Sequence, residues 1–352
     1  MVTLSDILAA VAVVLNGLPQ GLLALTFGFA AFPTAIAFVI GIIGVIFFKL
    51  VTPISFQAET ICLAGTLGRD RLERLNMVFW SGIIMAVIGI LGLLEFTIDM
   101  IGPSILNGMM AGVGIMLAHV AINMIKSNKT IGAFSLAVAL LTYFITDNLV
   151  YTIVASVFLS SFVWMYMKRT ELSKKEVEAS EDIEKISRIK VLVNPFIIRG
   201  ALALATLQIG GNIAYGSITG NLAQSSVNID HLTIYSGLAS AGSALFGGGP
   251  VEAIISGTAI APNPFITGIL MMAIMAIILL SKLLPKLAKY VPSESIAGFL
   301  FVLGAIIVFP TNINLGLAGD PVVAGVTTVV TAATDPFLGM LAGLIVRAVI
   351  GL

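Results

Sequence analysis

Two carboxylates, Glu59 and Glu252, stand in short stretches that are otherwise apolar or small: Gln57-Ala58-Glu59-Thr60-Ile61-Cys62-Leu63-Ala64-Gly65-Thr66 and Val251-Glu252-Ala253-Ile254-Ile255-Ser256-Gly257-Thr258. A charged side chain at the centre of a bilayer costs roughly 2.5–3.5 kcal/mol on insertion scales, so each acid requires protonation, a partner or a water-filled cavity. Such a group can bind or sense a cation, or grip a hydrogen-bonding substrate. The plainer alternative is a cap on a half-helix, where the carboxylate accepts backbone N–H bonds.

A second polar constellation lies between Ala201 and Asn221, with Thr206, Gln208, Asn212, Tyr215, Ser217 and Thr219. Gln208, Asn212 and Tyr215 fall at i, i+4 and i+7, which places them on one helical face. Two amides beside a phenol suit the edges and face of a planar polar molecule. They equally suit hydrogen bonding between helices in a membrane bundle. Asn16 and Gln20 repeat the i, i+4 spacing around Pro19.

The other polar residues point to structure. Thr146-Asp147 and Thr334-Asp335 each precede a new apolar run and read as helix N-caps. His119 and His231 are far apart, and with Cys62 they make no metal set. Gly247-Gly248-Gly249-Pro250 lacks the Lys-Ser/Thr of a phosphate loop, and no nucleophile–base spacing occurs, so neither an enzyme nor a cofactor is expected.

The elements that must position these groups are membrane helices. Of 352 residues, 58% are hydrophobic and 10% charged, with a mean hydropathy of +1.08, against the roughly 45–50% apolar and 25% charged of soluble domains. Apolar runs of spanning length recur throughout, and lipid offers no partner to the open edge of a sheet. With 18 basic and 18 acidic residues the net charge is zero, which provides no field to recruit nucleic acid.

Breaks at proline, glycine and charge clusters divide the chain into seven runs before residues 168–194 and seven after, with sub-spanning runs at 53–67 and 250–261. The halves match in order. Each short run reads Glu, apolar turn, Gly-Thr. Pro103 precedes Gly108 and Gly114 as Pro292 precedes Gly298 and Gly304, and Thr146-Asp147 and Thr334-Asp335 follow at like intervals. An odd number of spans per half inverts the second half in the membrane, the plan of secondary transporters whose site lies between two discontinuous helices. The expected fold is therefore all-α: about fourteen transmembrane segments as a seven-plus-seven inverted repeat, with segments three and ten short and broken. Residues 1–95 and 196–285 form a core, 100–167 and 291–352 a gate, and 168–194 a hydrophilic linker. Sixteen of the 18 basic residues, all but Lys49 and Arg347, fall in odd-numbered loops, which the positive-inside rule makes cytoplasmic, with both termini outside.

The stretches from Gly237 to Glu252 and from Val291 to Gly298, together with Pro103 to Asn123, resemble the xanthine/uracil (nucleobase–cation symporter) permeases, and their adenine/guanine branch in particular. The resemblance implies a homodimeric symporter, driven by H+ or Na+, that holds a planar purine or pyrimidine between the third, eighth and tenth spans. It implies cytoplasmic termini, opposite to the charge count. The family's eighth-span glutamate is Gln208 here, and its tenth-span glutamate falls near Ser256. The residues expected to line the site are Gln208, Asn212, Tyr215, Glu252, Glu59, Ser256 and Gln20. A sulfate-permease-like anion transporter is the alternative, similar in the proline-containing twelfth span, although such proteins append a soluble C-terminal domain and avoid carboxylates near half-helix N-termini. An uncoupled channel or membrane scaffold is the third. A single cysteine placed within 168–190 should resist an impermeant thiol reagent in intact cells, and labelling there would reverse the assigned orientation.

Overall fold

The computed structural model describes residues 2–94, 100–167, 187–254, 256–288 and 290–351, without the side chains of 150, 214, 217, 218 and 221. Residues 168–186 of the expected 168–194 linker lie outside this set. The chain is mostly helical, and it divides into two compact units, one of Met1–Phe96 with Ala179–Pro285 and the other of Thr97–Glu178 with Lys286–Leu352.

The first unit contains α1 (Leu4–Thr26), α2 (Ala31–Phe48), α3 (Ala58–Leu67) and α4 (Arg71–Ile90), then α5 (Pro195–Leu222), α6 (Ile229–Leu245) and α7 (Pro264–Leu280). The second contains α8 (Pro103–Ser127), α9 (Lys129–Thr146) and α10 (Leu149–Met167), then α11 (Ser293–Gly319), α12 (Pro321–Ala333) and α13 (Pro336–Ile350). Seven helices among the described residues are long and apolar enough to cross a membrane, and the protein is a multi-pass membrane protein.

Helix ends are set by local side chains. Thr3 and Asp6 form a reciprocal capping box at α1. Asp6, fully buried, also accepts from Asn263 N, Asn263 Nδ2 and Thr267 Oγ1, each at 2.9 Å, and so joins the start of α1 to that of α7. Asp335 caps α13 by accepting from Leu338 N at 2.9 Å, as its position after Thr334 implies. Asp147 does not cap α10. It terminates α9 in a left-handed conformation with φ 48°, and its neighbour Asn148 accepts from Tyr151 N at 3.3 Å. Both Asn and Asp tolerate that conformation, and only the residue that follows the left-handed position can aim back at the new helix.

The two short runs behave differently. In 53–67 the backbone is extended through β1 (Ile54–Ser55) and turns helical at Ala58. The 250–261 run is no broken α-helix. It continues from Gly247-Gly248-Gly249-Pro250 as extended chain through β2 (Glu252–Ala253) and closes in a single 3-10 turn, Gly257–Ile260. Proline and the β-branched Val251 and Ile254 favour extended backbone, so no helix nucleates there.

Glycines let helices meet at their backbones, since packing rather than a hydrophobic force holds helices together in lipid. A Cβ on Gly237 of α6 would lie 2.6 Å from Gly82 O and 2.8 Å from Ala86 N of α4. In the second unit a Cβ on Gly304 of α11 would lie 2.5 Å from Gly114 O of α8, and one on Gly114 would lie 2.7 Å from Phe309 N. Gly108 of α8 meets Ala324 O of α12, while Gly298 of α11 meets Ser135 O of α9. Gly237→Ala should lower stability by about 1–3 kcal/mol through overpacking. Gly325→Ala on α12, where a Cβ meets nothing within 4 Å, should leave stability unchanged or raise it by about 0.5–1 kcal/mol. Thermal melting in detergent compares the two.

Candidate functional site

The site is built inside the first unit where the two extended segments pair. β1 and β2 run antiparallel, with Ile54 opposite Ala253 and Ser55 opposite Glu252. Opposed residues in an antiparallel pair share a face, so Ser55 and Glu252 lie together while Ile54 and Ala253 occupy the other side. The Ile54 side packs on α2, since a Cβ on Gly41 would lie 2.6 Å from Ile54 Cδ1. The Ser55 side meets α1, where a Cβ on Gly17 would lie 3.0 Å from Ser55 Oγ.

Non-helical backbone inside a membrane protein needs partners that lipid cannot supply, and hydroxyls provide most of them. Thr34 Oγ1 accepts from Gly249 N at 2.7 Å, and Ser243 Oγ donates to Gly249 O at 2.7 Å. Ser240 Oγ both donates to Val251 O (2.6 Å) and accepts from Val251 N (3.1 Å). Gln57 Nε2 donates to Ala253 O at 3.1 Å and Thr219 Oγ1 to Ile254 O at 2.9 Å. At one end Arg71 holds two loops, donating to Gly28 O at 2.6 Å and to Gly247 O at 3.2 Å.

Glu59 and Glu252 come together on this frame. Glu252 projects from β2, is 3% exposed, and accepts at Oε1 from Thr60 Oγ1 at 2.6 Å. Glu59 precedes Thr60 in the first turn of α3, is 5% exposed, and is hydrogen-bonded by the Tyr215 phenol of α5 and by its own backbone amide. Each acid keeps an Oε2 without a partner, and no cationic side chain is among their partners in the described residues. Gly211, one turn before Tyr215, leaves the space between α5 and β2 open, because a Cβ there would sit 3.8 Å from Glu252 Oε2. The N-terminus of α3 is buried, and its N-cap residue Gln57 makes no side-chain cap.

The other expected residues lie around this centre. Gln208 accepts from Ser81 Oγ of α4 at 2.9 Å, and Asn212 donates to Thr233 Oγ1 and Ser236 Oγ of α6, both at 3.2 Å. These are interhelical bonds of the kind that glue bundles. Ser256 Oγ is engaged with Thr258 Oγ1 at 2.7 Å in the 3-10 turn. Among the described residues Gln20 reaches Asn16 O alone, at 3.5 Å, and its Oε1 has no partner. Thr60, Ser55 and Gly211 were not singled out from the sequence. Thr60 adjoins Glu59, but only the pairing of β1 with β2 brings it onto Glu252.

No protein-family profile matches the sequence, and no curated protein matches it. Solved structures do match. The transmembrane domain of a cyanobacterial bicarbonate transporter, BicA, superposes with a TM-score of 0.61 at 15% identity, over 92% of this chain and 96% of that one. The murine anion transporter Slc26a9 in its inward-facing state gives 0.67 at 13% identity over 99% of this chain and 68% of that chain. The overall structure of SLC26A9 gives 0.67 at 11% over 99% of this chain, which spans 65% of that chain's length. The fold is thus that of the membrane domain of these transporters. The resemblance to nucleobase–cation symporters is corrected accordingly: the neighbours are anion transporters, and nothing in them supports a nucleobase substrate. Glycine and proline spacing reports where the chain must bend and where helices must touch, and those requirements belong to the architecture rather than to the ligand.

Thr60→Val keeps shape and removes the hydroxyl that donates to Glu252 Oε1. Leaving a buried acceptor without its bond costs about 1–3 kcal/mol. The variant should melt at a lower temperature than the parent, and an unchanged melting point would mean that Glu252 does not depend on Thr60.

Proposed function

We propose that this chain is a secondary active transporter of a small anion, working by alternating access and coupled to H+ or Na+. The observation that carries the reading is the buried N-terminus of α3, whose N-cap residue Gln57 makes no side-chain cap, beside the β1–β2 pair. The first-turn amides of a helix have no intrahelical acceptor and carry the positive end of the helix dipole, so they are suited to an anion. The neighbours are described as a bicarbonate transporter and an anion transporter, which accords with such a site.

Two buried carboxylates beside an anion site require an opposing charge, and that requirement favours coupling. Glu252, opposite Ser55 and bonded by Thr60, is the group to which we assign the coupling cation or proton. In this reading the unit that carries the site is the core, 1–95 with 196–285, and it moves against a gate, 100–167 with 291–352. The halves form a seven-plus-seven inverted repeat. The reciprocal contacts support it: Gly108 meets α12 as Gly298 meets α9, and Gly114 and Gly304 meet each other.

Purified protein in proteoliposomes should exchange labelled hydrogencarbonate or another small anion one for one, because a carrier trades substrate and a channel does not. Glu252→Gln removes the ionisable group at constant size. It should retain counterflow but lose uphill accumulation under an imposed proton or sodium gradient. Accumulation equal to the parent's would remove Glu252 from coupling, and the absence of counterflow for every anion tried would remove the transport reading itself.

A further inference from the structure

Every buried side-chain polar atom without a partner among the described residues is an oxygen. Some belong to hydroxyls, but Glu59 Oε2, Glu252 Oε2 and the amide oxygens of Asn16 and Gln20 can only accept when the acids are ionised. Most side-chain donors near the centre are already committed: Thr60 to Glu252, Tyr215 to Glu59, Gln57 to Ala253 O and Thr219 to Ile254 O, while the Ser55 hydroxyl keeps no partner. The centre therefore has acceptors to spare, and the donors left to it are the Ser55 hydroxyl on β1 and the Ala58 and Thr60 amides that open α3, the Glu59 amide being engaged by its own carboxylate.

Donors and an acceptor of opposite character thus occur within one helical turn. Ala58, Glu59 and Thr60 lie before the first intrahelical bond, which Ile61 N makes to Gln57 O at 3.1 Å. Glu59 is in the same turn and keeps Oε2 free. A ligand that fills both needs one oxygen that accepts from amide N–H and a neighbouring oxygen that donates a proton to a carboxylate. A bare anion meets the amides and leaves Glu59 Oε2 a buried charge facing another negative charge.

We propose that Glu59 is a specificity-determining residue that selects anions carrying their own hydroxyl, such as hydrogencarbonate or dihydrogen phosphate, over anions of like shape without one. The proposal rests on the anion-transport reading above. Its chemistry is the one by which a site that hydrogen-bonds a substrate hydroxyl rejects the analogue lacking it, because a buried polar group is then left unpaired. The role is separate from that of Glu252, whose Oε1 is held by Thr60.

Hydrogencarbonate and nitrate make the decisive pair, since both are planar monoanions of three oxygens and only the first has an O–H. Competition against labelled hydrogencarbonate counterflow in proteoliposomes should place nitrate at least about tenfold weaker in the parent. In Glu59→Gln the side-chain amide supplies the missing donor, and the ratio should fall to within about threefold of unity. If Glu59→Gln does not fold, as judged by its melting transition, the parent's preference for dihydrogen phosphate over perchlorate, both tetrahedral monoanions, decides alone. Equal competition within both pairs in the parent, or a nitrate ratio that Glu59→Gln leaves unchanged, overturns the role of Glu59 while leaving anion transport standing. Failure of every anion to exchange overturns the reading beneath it.

Discussion

The structure of the first unit depends on one constraint: backbone that leaves the helical form inside a membrane protein must find every hydrogen bond within the chain. The segments around β1 and β2 meet it in two ways. They pair with each other, Ile54 with Ala253 and Ser55 with Glu252. Where pairing ends, serine and threonine hydroxyls on α2, α5 and α6 take over. A hydroxyl suits this task because it can donate and accept at once, as Ser240 does toward both groups of Val251. The polarity of α5 and α6, odd for membrane helices, follows from this need.

Once the backbone is satisfied, the two acids become intelligible. Neither lies on a helix face directed at lipid. Glu59 is in the first turn of a short helix, and Glu252 is on a strand whose opposite face packs on α2. Thr60 joins one to the other in chain order and in space. The same extended geometry that demands hydroxyl partners also frees the α3 amides, so donors and carboxylates arise at one place from one backbone requirement. The second unit shows the contrast. There the contacts described are mainly of glycine against backbone, at Gly108, Gly114, Gly298 and Gly304, and among the described residues the one buried carboxylate oxygen without a partner is Asp320 Oδ2, at a helix cap.

Much of this architecture was legible in the sequence, because the relevant physics is local. Apolar runs specify helices, Gly-Gly-Gly-Pro forbids one, and an acid in an apolar run marks a place where something must compensate. What was not legible is tertiary. The i, i+4, i+7 pattern of Gln208, Asn212 and Tyr215 correctly describes a shared face, yet periodicity does not say which neighbour each residue meets. Gln208 meets Ser81, Asn212 meets Thr233 and Ser236, and Tyr215 meets Glu59. Each is tied to a different helix, α4, α6 and α3. Likewise, the placement of Glu252 on a strand depends on a partner, β1, that lies nearly two hundred residues earlier in the chain.

The same reasoning explains why glycine and proline spacing led toward a nucleobase carrier. Those residues are selected by bends and close approaches, and any chain that adopts this fold must supply them, whatever it carries. Substrate chemistry is written instead in the few atoms left over after the backbone has been satisfied. Here those atoms are oxygens, among them Oε2 of Glu59 in the first turn of α3 and Oε2 of Glu252 on β2. A planar heterocycle is not required to complete such a set. In the reading proposed above, the ligand that would complete it is small, negative enough to engage a helix N-terminus and protonated enough to face a carboxylate, and that combination narrows the chemistry further than the fold alone does.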